Sequence, residues 1–506
     1  MMDDTGSLYS KWKYPVLLAL CTVLALLLRA YNIGTESFWV DETFSVTFSQ
    51  HNDLMKIVEL TYADVHPPLY LLILHYFLML PGPVEIVARL PSLIFGVLSI
   101  PAIYIAGEKL LKSKQAGIIA AFLLAISFAS ITYSQEARMY PLMIFLGIVE
   151  ITAMYCALEE NKRIYWALFT GSAVLIMYTH YYGFLLTGAL LLWALVALLY
   201  KDWKSKPFRL SGASKTLVVS ALVIAILMLP QVPYIISQSK SENVNSDIHT
   251  DGILFYPKLF YFLSVGGIKN PVSIFTLALT VIIGGLFAAG LLEAYQKKRL
   301  ATVYMVAIIG ITSLVGLLLT YKIRFCGYRY FIYLLLPYLL PVSAGMIYVG
   351  EQIPALMAKN GLRTSRITEI AKGGLQGKMV IIIAILSIIV LFEAAGISPL
   401  YSQVNVDLRD GMNYVLEHKD PSEKVIVING DNRTMEYYAT LTGISGALVS
   451  PSSYQGNVSE DLKGNVSWVI ISDAKDRPDN AATIVWLENN TVRRASFSRV
   501  TVYSTG

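Results

Sequence analysis

Two adjacent carboxylates, Asp41 and Glu42, sit among aromatic and small residues in "SFWVDETFSV". A carboxylate can deprotonate a hydroxyl while its neighbour orients it or binds a cation. Adjacent residues on a helix point about 100° apart, so one substrate atom does not readily meet both. By spacing alone the plainer reading, two acids capping a loop helix, is the stronger. "ADVHPPLY" places Asp64 and His66 before two prolines that fix an extended entry into an apolar helix. His66 is either incidental to that helix start or a donor to a phosphate or carboxylate. "YSQEARMYPL" gathers Glu136, Arg138 and Tyr140 in a short turn. Glu136 and Arg138 either pair with each other or face a cavity and hold a polar substrate. "YKIRFCGYRYFIY" brings Lys322, Arg324, Arg329 and Tyr330 together. Cations at a membrane interface often only snorkel to lipid head groups. The alternative is a clamp on a phosphate, which Arg grips bidentately. Arg89 and His180 belong to the same polar set.

The elements that must position these groups are apolar. The 506 residues are 55% hydrophobic and only 15% charged, against about 25% charged in an average soluble protein. Long uncharged runs recur to residue 396, as in a polytopic membrane protein. Spans are expected near 14–31, 90–108, 115–133, 139–158, 164–180, 183–200, 216–236, 271–292, 300–320, 331–349 and 379–396, about eleven in all. Lys11 and Lys13 precede the first run and no small-residue cleavage site follows it, so it reads as a retained span. Cys21, Cys156 and Cys326 are too scattered for a metal or disulfide framework.

Lys and Arg placement sets an orientation. With the N-terminus cytoplasmic, basic clusters such as Lys109–Lys112–Lys114, Lys297–Lys298–Arg299 and those of 201–215 and 350–378 all fall inside. The apolar stretch 67–80 is only about 14 residues long, which suits an interfacial or re-entrant helix better than a span. It stays with Asp41 and Glu42 in a long outer loop, 32–89. Residues 397–506 are polar, with short β-like runs "KVIVIN" and "VSWVIIS" between helix-like stretches. They read as a small extracytoplasmic α/β domain, and the four N-x-[ST] sequons, at Asn432, Asn457, Asn465 and Asn489, all lie there. The spans hold few ionisable groups, chiefly Glu150, with Glu393 near a span end. A proton-coupled pump keeps such groups at membrane depth, so the outer face is the better place for a site.

"WVDETFSV", "HPPLYLLILHYFLMLPGPVEIVARLPSLIFGVLSIPAIYIAGEKLL" and "ISFASITYSQEARMYPL" together resemble membrane glycosyltransferases of the protein O-mannosyltransferase type, and within them the Rgt-type lipopolysaccharide glycosyltransferases. The resemblance is dense over about residues 14–200 and loose beyond. It implies a GT-C fold: a polytopic α-helical membrane domain, 1–396, whose first outer loop, 32–89, carries the catalytic motif, followed by the soluble domain, 397–506. It implies a dolichyl- or undecaprenyl-phosphate-linked sugar as donor and an outward-facing site. It puts the catalytic acid on Asp41 with Glu42 beside it, and substrate contacts on His66, Arg89 and Glu136. Relatives often have Asp at the Glu136 position, which weakens a metal role there.

The residues fit such chemistry. Inverting transfer needs one base on the acceptor hydroxyl, and a lipid phosphate leaves without a strong general acid. Cations must hold its charge, a need better met by one carboxylate with Arg, Lys and His than by the paired carboxylates of a glycosidase. The expected substrate-binding set is His66, Arg89, Glu136, Arg138, Tyr140, His180, Lys322, Arg324, Arg329 and Tyr330. The acceptor hydroxyl lies on a protein, lipid or glycan; no nucleic acid is involved. No cofactor is specified; a divalent metal, Mg or Mn, would draw oxygen ligands from Asp41, Glu42 and Glu136. Two rival readings are a flippase or transporter of lipid-linked sugar, disfavoured by the charge-poor spans, and a receptor whose 397–506 segment binds a partner, for which so many spans are excessive.

Overall fold

In a bilayer every backbone N–H and C=O must be satisfied within the protein, so apolar runs of this length fold as helices. The computed structural model describes residues 4–63, 66–205, 209–238, 254–266, 272–297, 300–323, 327–359, 375–402, 405–428, 431–450, 453–454, 456, 458–462, 466–472 and 480–505. Among them nine helices are long and apolar enough to cross a membrane: Trp12–Ala30, Val84–Leu111, Tyr140–Glu160, Gly183–Lys204, Gly212–Gln238, Ile274–Gln296, Leu300–Leu318, Tyr328–Leu356 and Gln376–Ala394. The chain is an integral membrane protein. The expected span at 164–180 is the helix Arg163–Thr179, whose 17 residues leave it just short of that length. The apolar helix Leu69–Leu78 has only ten residues, too few to cross.

The expected straight span 115–133 is instead two helices, Lys114–Ile126 and Phe128–Ser134, bent by 55°. Ser127 takes ψ 121° there and breaks the helical ladder. The break leaves backbone groups open, and buried side chains from elsewhere fill them. Arg29 donates to the carbonyls of Leu124 (3.1 Å) and Ala125 (2.9 Å) and to the hydroxyl of Ser130 (2.8 Å). The Glu393 carboxyl accepts the Phe128 N–H. Gln135 then donates to the carbonyls of Arg29 (3.3 Å) and Tyr31 (2.8 Å), closing the end of the first span. The bend sets the start of the turn that carries Glu136 and Arg138.

The helices Ile274–Gln296 and Leu335–Lys359 meet at Gly290 and Gly345, where an added Cβ would strike the carbonyls of Pro341 and Leu286. Close backbone approach through small residues is how membrane helices gain contact when lipid is as apolar as leucine.

The chain divides into two compact units: Met1–Tyr31, Leu54–Ile73 and Leu90–Leu400 form one, and Asn32–Asp53, Leu74–Arg89 and Tyr401–Gly506 the other. This division differs from the expected one at 396/397, because two pieces of the first outer loop go with the C-terminal segment. The second unit has a four-stranded sheet of order β1-β2-β4-β3, built from β1 (Lys424–Ile428), β2 (Val466–Ser472), β3 (Val492–Phe497) and β4 (Val500–Ser504). β1 and β2 are parallel; β4 is antiparallel to both β2 and β3. Ile426, Ile428, Val469, Ile471, Leu487 and Tyr503 form its core. The helices Leu408–His418 and Asn432–Thr442 fall on the helix-like stretches of the sequence. The hairpin of β3 and β4 was not legible, because β3 reads "VRRASF" and exposes most of its side chains.

Candidate active site

Asp41 and Glu42 open the helix Val40–Ser49, where acids complement the exposed N–H groups of a first turn. Their environments differ. Glu42 is fully buried, and its two oxygens take a fork from Arg89: Nε to Oε1 at 2.8 Å and Nη2 to Oε2 at 2.9 Å. Arg89 gives its remaining hydrogens to the carbonyls of Ile33 (2.7 Å), Glu36 (3.0 Å) and Ser37 (3.5 Å), and Glu42 also accepts the Trp39 N–H at 3.4 Å. Arg89 is 2% exposed and lies over the Phe38 ring, 5.3 Å from its centroid. Glu42, expected beside the catalytic acid, and Arg89, expected at the substrate, thus meet as an ion pair. Each is committed to the other and to the loop backbone, and together they fix the entry to the helix. Asp41 is half-buried, and its backbone carbonyl accepts the Ser45 hydroxyl at 3.0 Å.

In the other unit, several segments bring cations, imidazoles and phenols together. Arg138 is buried, and its Nη2 lies 3.2 Å from His66 Nε2. A guanidinium has no acceptor, so His66 Nε2 must accept, and a neutral His66 carries its proton on Nδ1. Any donation from His66 to a substrate thus comes from Nδ1. The Arg138 backbone is held by Ser92, whose hydroxyl donates to its carbonyl at 2.8 Å and meets Tyr70 OH at 2.8 Å. Glu136 is buried two residues away, and its carbonyl accepts the Arg138 N–H at 2.7 Å.

His180 follows the helix Arg163–Thr179 with extended backbone. Its ring lies 6.4 Å from His66, 6.4 Å from Tyr140 and 4.8 Å from Tyr330. Burial, then the neighbouring His66, Arg138 and Arg329, hold its pKa well below the usual histidine value. His180 Nδ1 accepts the Tyr182 N–H at 3.1 Å, so the neutral ring presents Nε2–H as a donor. Arg329 is half-buried, with its guanidinium 5.7 Å from the Tyr140 centroid and 5.6 Å from that of Tyr330. The Arg329 side chain also hydrogen-bonds the Tyr330 hydroxyl, so ring faces and a phenol together hold its charge at this place.

His66, Glu136, Arg138, Tyr140, His180, Arg329 and Tyr330 are thus brought together within one unit. Lys322 belongs to the helix Leu300–Ile323, and Asp64 and Arg324 lie outside the described residues. Ser92, Tyr70 and Tyr182 were missed; as a serine and two tyrosines in apolar runs they carry no distinguishing signal. Among the described residues no three His, Cys, Asp or Glu side chains are grouped as a metal would require. Both Glu42 oxygens are taken by Arg89. The expected ligand set of Asp41, Glu42 and Glu136 does not fit a divalent ion, and no step is routed through one.

Residues 65–234 match the family model described as dolichyl-phosphate-mannose-protein mannosyltransferase. No curated protein matches the chain. Among solved structures, ArnT from Cupriavidus metallidurans bound to undecaprenyl phosphate is similar at 13% identity and TM-score 0.56, over 97% of this chain and 97% of that one. The archaeal oligosaccharyltransferase AglB from Archaeoglobus fulgidus, in complex with an inhibitory peptide and a dolichol-phosphate, is similar at 13% identity and TM-score 0.52, over 98% of this chain and 75% of that one. The fold is that of the GT-C structures, and residues 65–234 are similar to the protein mannosyltransferase family.

Proposed function

We propose that the chain moves a sugar from a polyprenyl phosphate to an acceptor hydroxyl at the outer membrane face, with inversion at the sugar carbon. The observation that carries this is the cluster of Arg138, Arg329, His66 and neutral His180, half-open at His66 and Arg329, on a chain whose 65–234 segment matches the mannosyltransferase model. Two guanidiniums and imidazole N–H donors are the groups a departing lipid phosphate needs. ArnT and AglB, of the same fold, have solved structures bound to undecaprenyl phosphate and in complex with a dolichol-phosphate respectively, which supports a donor of that class.

Asp41 is assigned the base on the resemblance of "WVDETFSV", and its partial exposure beside the fully engaged Glu42 supports that choice. As the acceptor oxygen attacks, Asp41 takes its proton, the sugar–phosphate bond breaks, and the lipid phosphate leaves as an anion. The orientation has the N-terminus in the cytoplasm and the C-terminal segment outside, as the Lys and Arg placement indicates.

The test is transfer of labelled sugar by purified protein in nanodiscs given undecaprenyl- or dolichyl-phosphate-linked [14C]hexose and detergent-extracted cell-envelope acceptors. Asp41→Asn should abolish transfer and retain donor binding. Substantial turnover by Asp41→Asn removes the base assignment. Flux of the labelled lipid across liposomes without any acceptor product would favour a flippase.

A further inference from the structure

We propose that the C-terminal segment is the positioning element for the helix that bears Asp41, and that Tyr438 is its central positioning residue. This rests on the base assignment above for its catalytic meaning, but its geometry lies within one compact unit. The Phe38 N–H precedes the helix Val40–Ser49, outside its hydrogen-bond ladder. It donates to the Tyr438 hydroxyl at 2.6 Å, and that hydroxyl in turn donates to Glu85 Oε1 at 3.3 Å. Tyr438 is fully buried, and its ring stacks on Phe38 at 6.3 Å. One residue earlier, Ser37 is held from both ends. Its hydroxyl donates to Asp407 at 2.6 Å, and its carbonyl accepts Asn405 at 3.0 Å. Past the acids, the Thr43 and Thr434 hydroxyls lie 3.4 Å apart.

The backbone just before Asp41 is therefore held by residues some 370–400 positions away in sequence, and the Thr43 side chain just after it meets one 391 positions away, while the neighbouring Glu42 is held by Arg89. Asp41 is partly exposed, while Ser37, Phe38, Glu42 and Thr43 around it are buried. A reacting group held by a rigid surround is pre-organised, and displacement by about 1 Å can cost about a hundredfold in rate. Neither the family match, which ends at residue 234, nor the sequence reading gave the C-terminal segment a role.

The test uses full-length protein in nanodiscs carrying Tyr438→Phe, which removes one oxygen and keeps the ring. Tyr414→Phe, at a tyrosine whose hydroxyl meets the Arg494 carbonyl, is the control. Hydrogen exchange of the peptide covering 37–46 should quicken at least tenfold in Tyr438→Phe and stay unchanged in the control. With undecaprenyl-phosphate-linked [14C]hexose, kcat should fall about tenfold to a hundredfold while KM for the donor stays within about twofold. Wild-type exchange and kcat in Tyr438→Phe would overturn the proposal, as would a loss confined to KM. Should Tyr438→Phe fail to fold, Ser37→Ala is read in the same way. If exchange quickens while wild-type protein transfers no sugar, the positioning stands and the glycosyl-transfer reading falls.

Discussion

The carboxylate of Glu42 spends both oxygens on Arg89, while that of Asp41 stays partly exposed one residue away. Glu42→Gln leaves the buried guanidinium uncompensated, and breaking such a pair costs about 3–5 kcal/mol. The variant should therefore lose several degrees of Tm, measured by intrinsic fluorescence. Asp41→Asn should keep the wild-type Tm within about a degree or two, since substitutions at partly exposed positions are usually near neutral. If Glu42→Gln kept its Tm and lost only turnover, its carboxylate would act on substrate after all. The acidic pair was legible in the sequence; which acid was spoken for was not, because the partner lies 47 residues away. His180 gives a pH prediction. Its folded pKa is depressed, so the folded state binds fewer protons than the unfolded chain. The stability tied to it is complete above the unfolded value of about 6.5 and is lost as pH falls below that value. His180→Gln should flatten the fall of Tm between about pH 6.5 and 5.

At the scale of elements, the 55° break at Ser127 is the feature on which the Glu136–Arg138 turn depends. It is stabilised from outside, by Arg29 and Glu393, so losing the outside partner should loosen the turn. Arg29→Met strands the carbonyls of Leu124 and Ala125, and each buried unsatisfied group costs about 1–3 kcal/mol. A lower Tm and faster exchange over 127–139 are expected; an unchanged exchange pattern would show that the bend is intrinsic to its sequence. Gly96→Ala probes the same region, because an added Cβ would run into the Ser134 hydroxyl and crowd Arg29. Overpacking of this kind costs about 1–3 kcal/mol. Apolar periodicity and length revealed nearly every long helix, yet 115–133 read as one straight span. No Pro or Gly marks the break, and the residues that fix it sit on the first and last spans. The contacts of Arg138 with His66, through its guanidinium, and with Ser92, through its carbonyl, were not legible for the same reason: the partners are distant.

For the molecule as a whole, the helices establish a membrane protein, and the orientation proposed from the basic clusters is open to a direct test. Single cysteines in a background without the native ones test it. Glu417→Cys, exposed on the C-terminal segment, should react with an impermeant maleimide on intact cells. Lys201→Cys, at the exposed end of the helix Gly183–Lys204, should react only after permeabilisation. The reverse pattern would invert every loop.

The pairing of residues 35–43 with 405–438 also has a consequence in time. Ribosomes add about 5–20 residues per second. Phe38 is made 400 residues before Tyr438, an interval of roughly 20–80 s. Through that interval the acid-bearing helix exists without the contacts that set it, and Glu85 lacks its arginine, Arg409. A ribosome that stalls between residue 394 and residue 405 leaves a chain that has all nine of the spanning helices above but a first loop not yet fastened. Synthesis of 405–438 thus fastens the acid-bearing loop last, after the helix Gln376–Ala394 has been made.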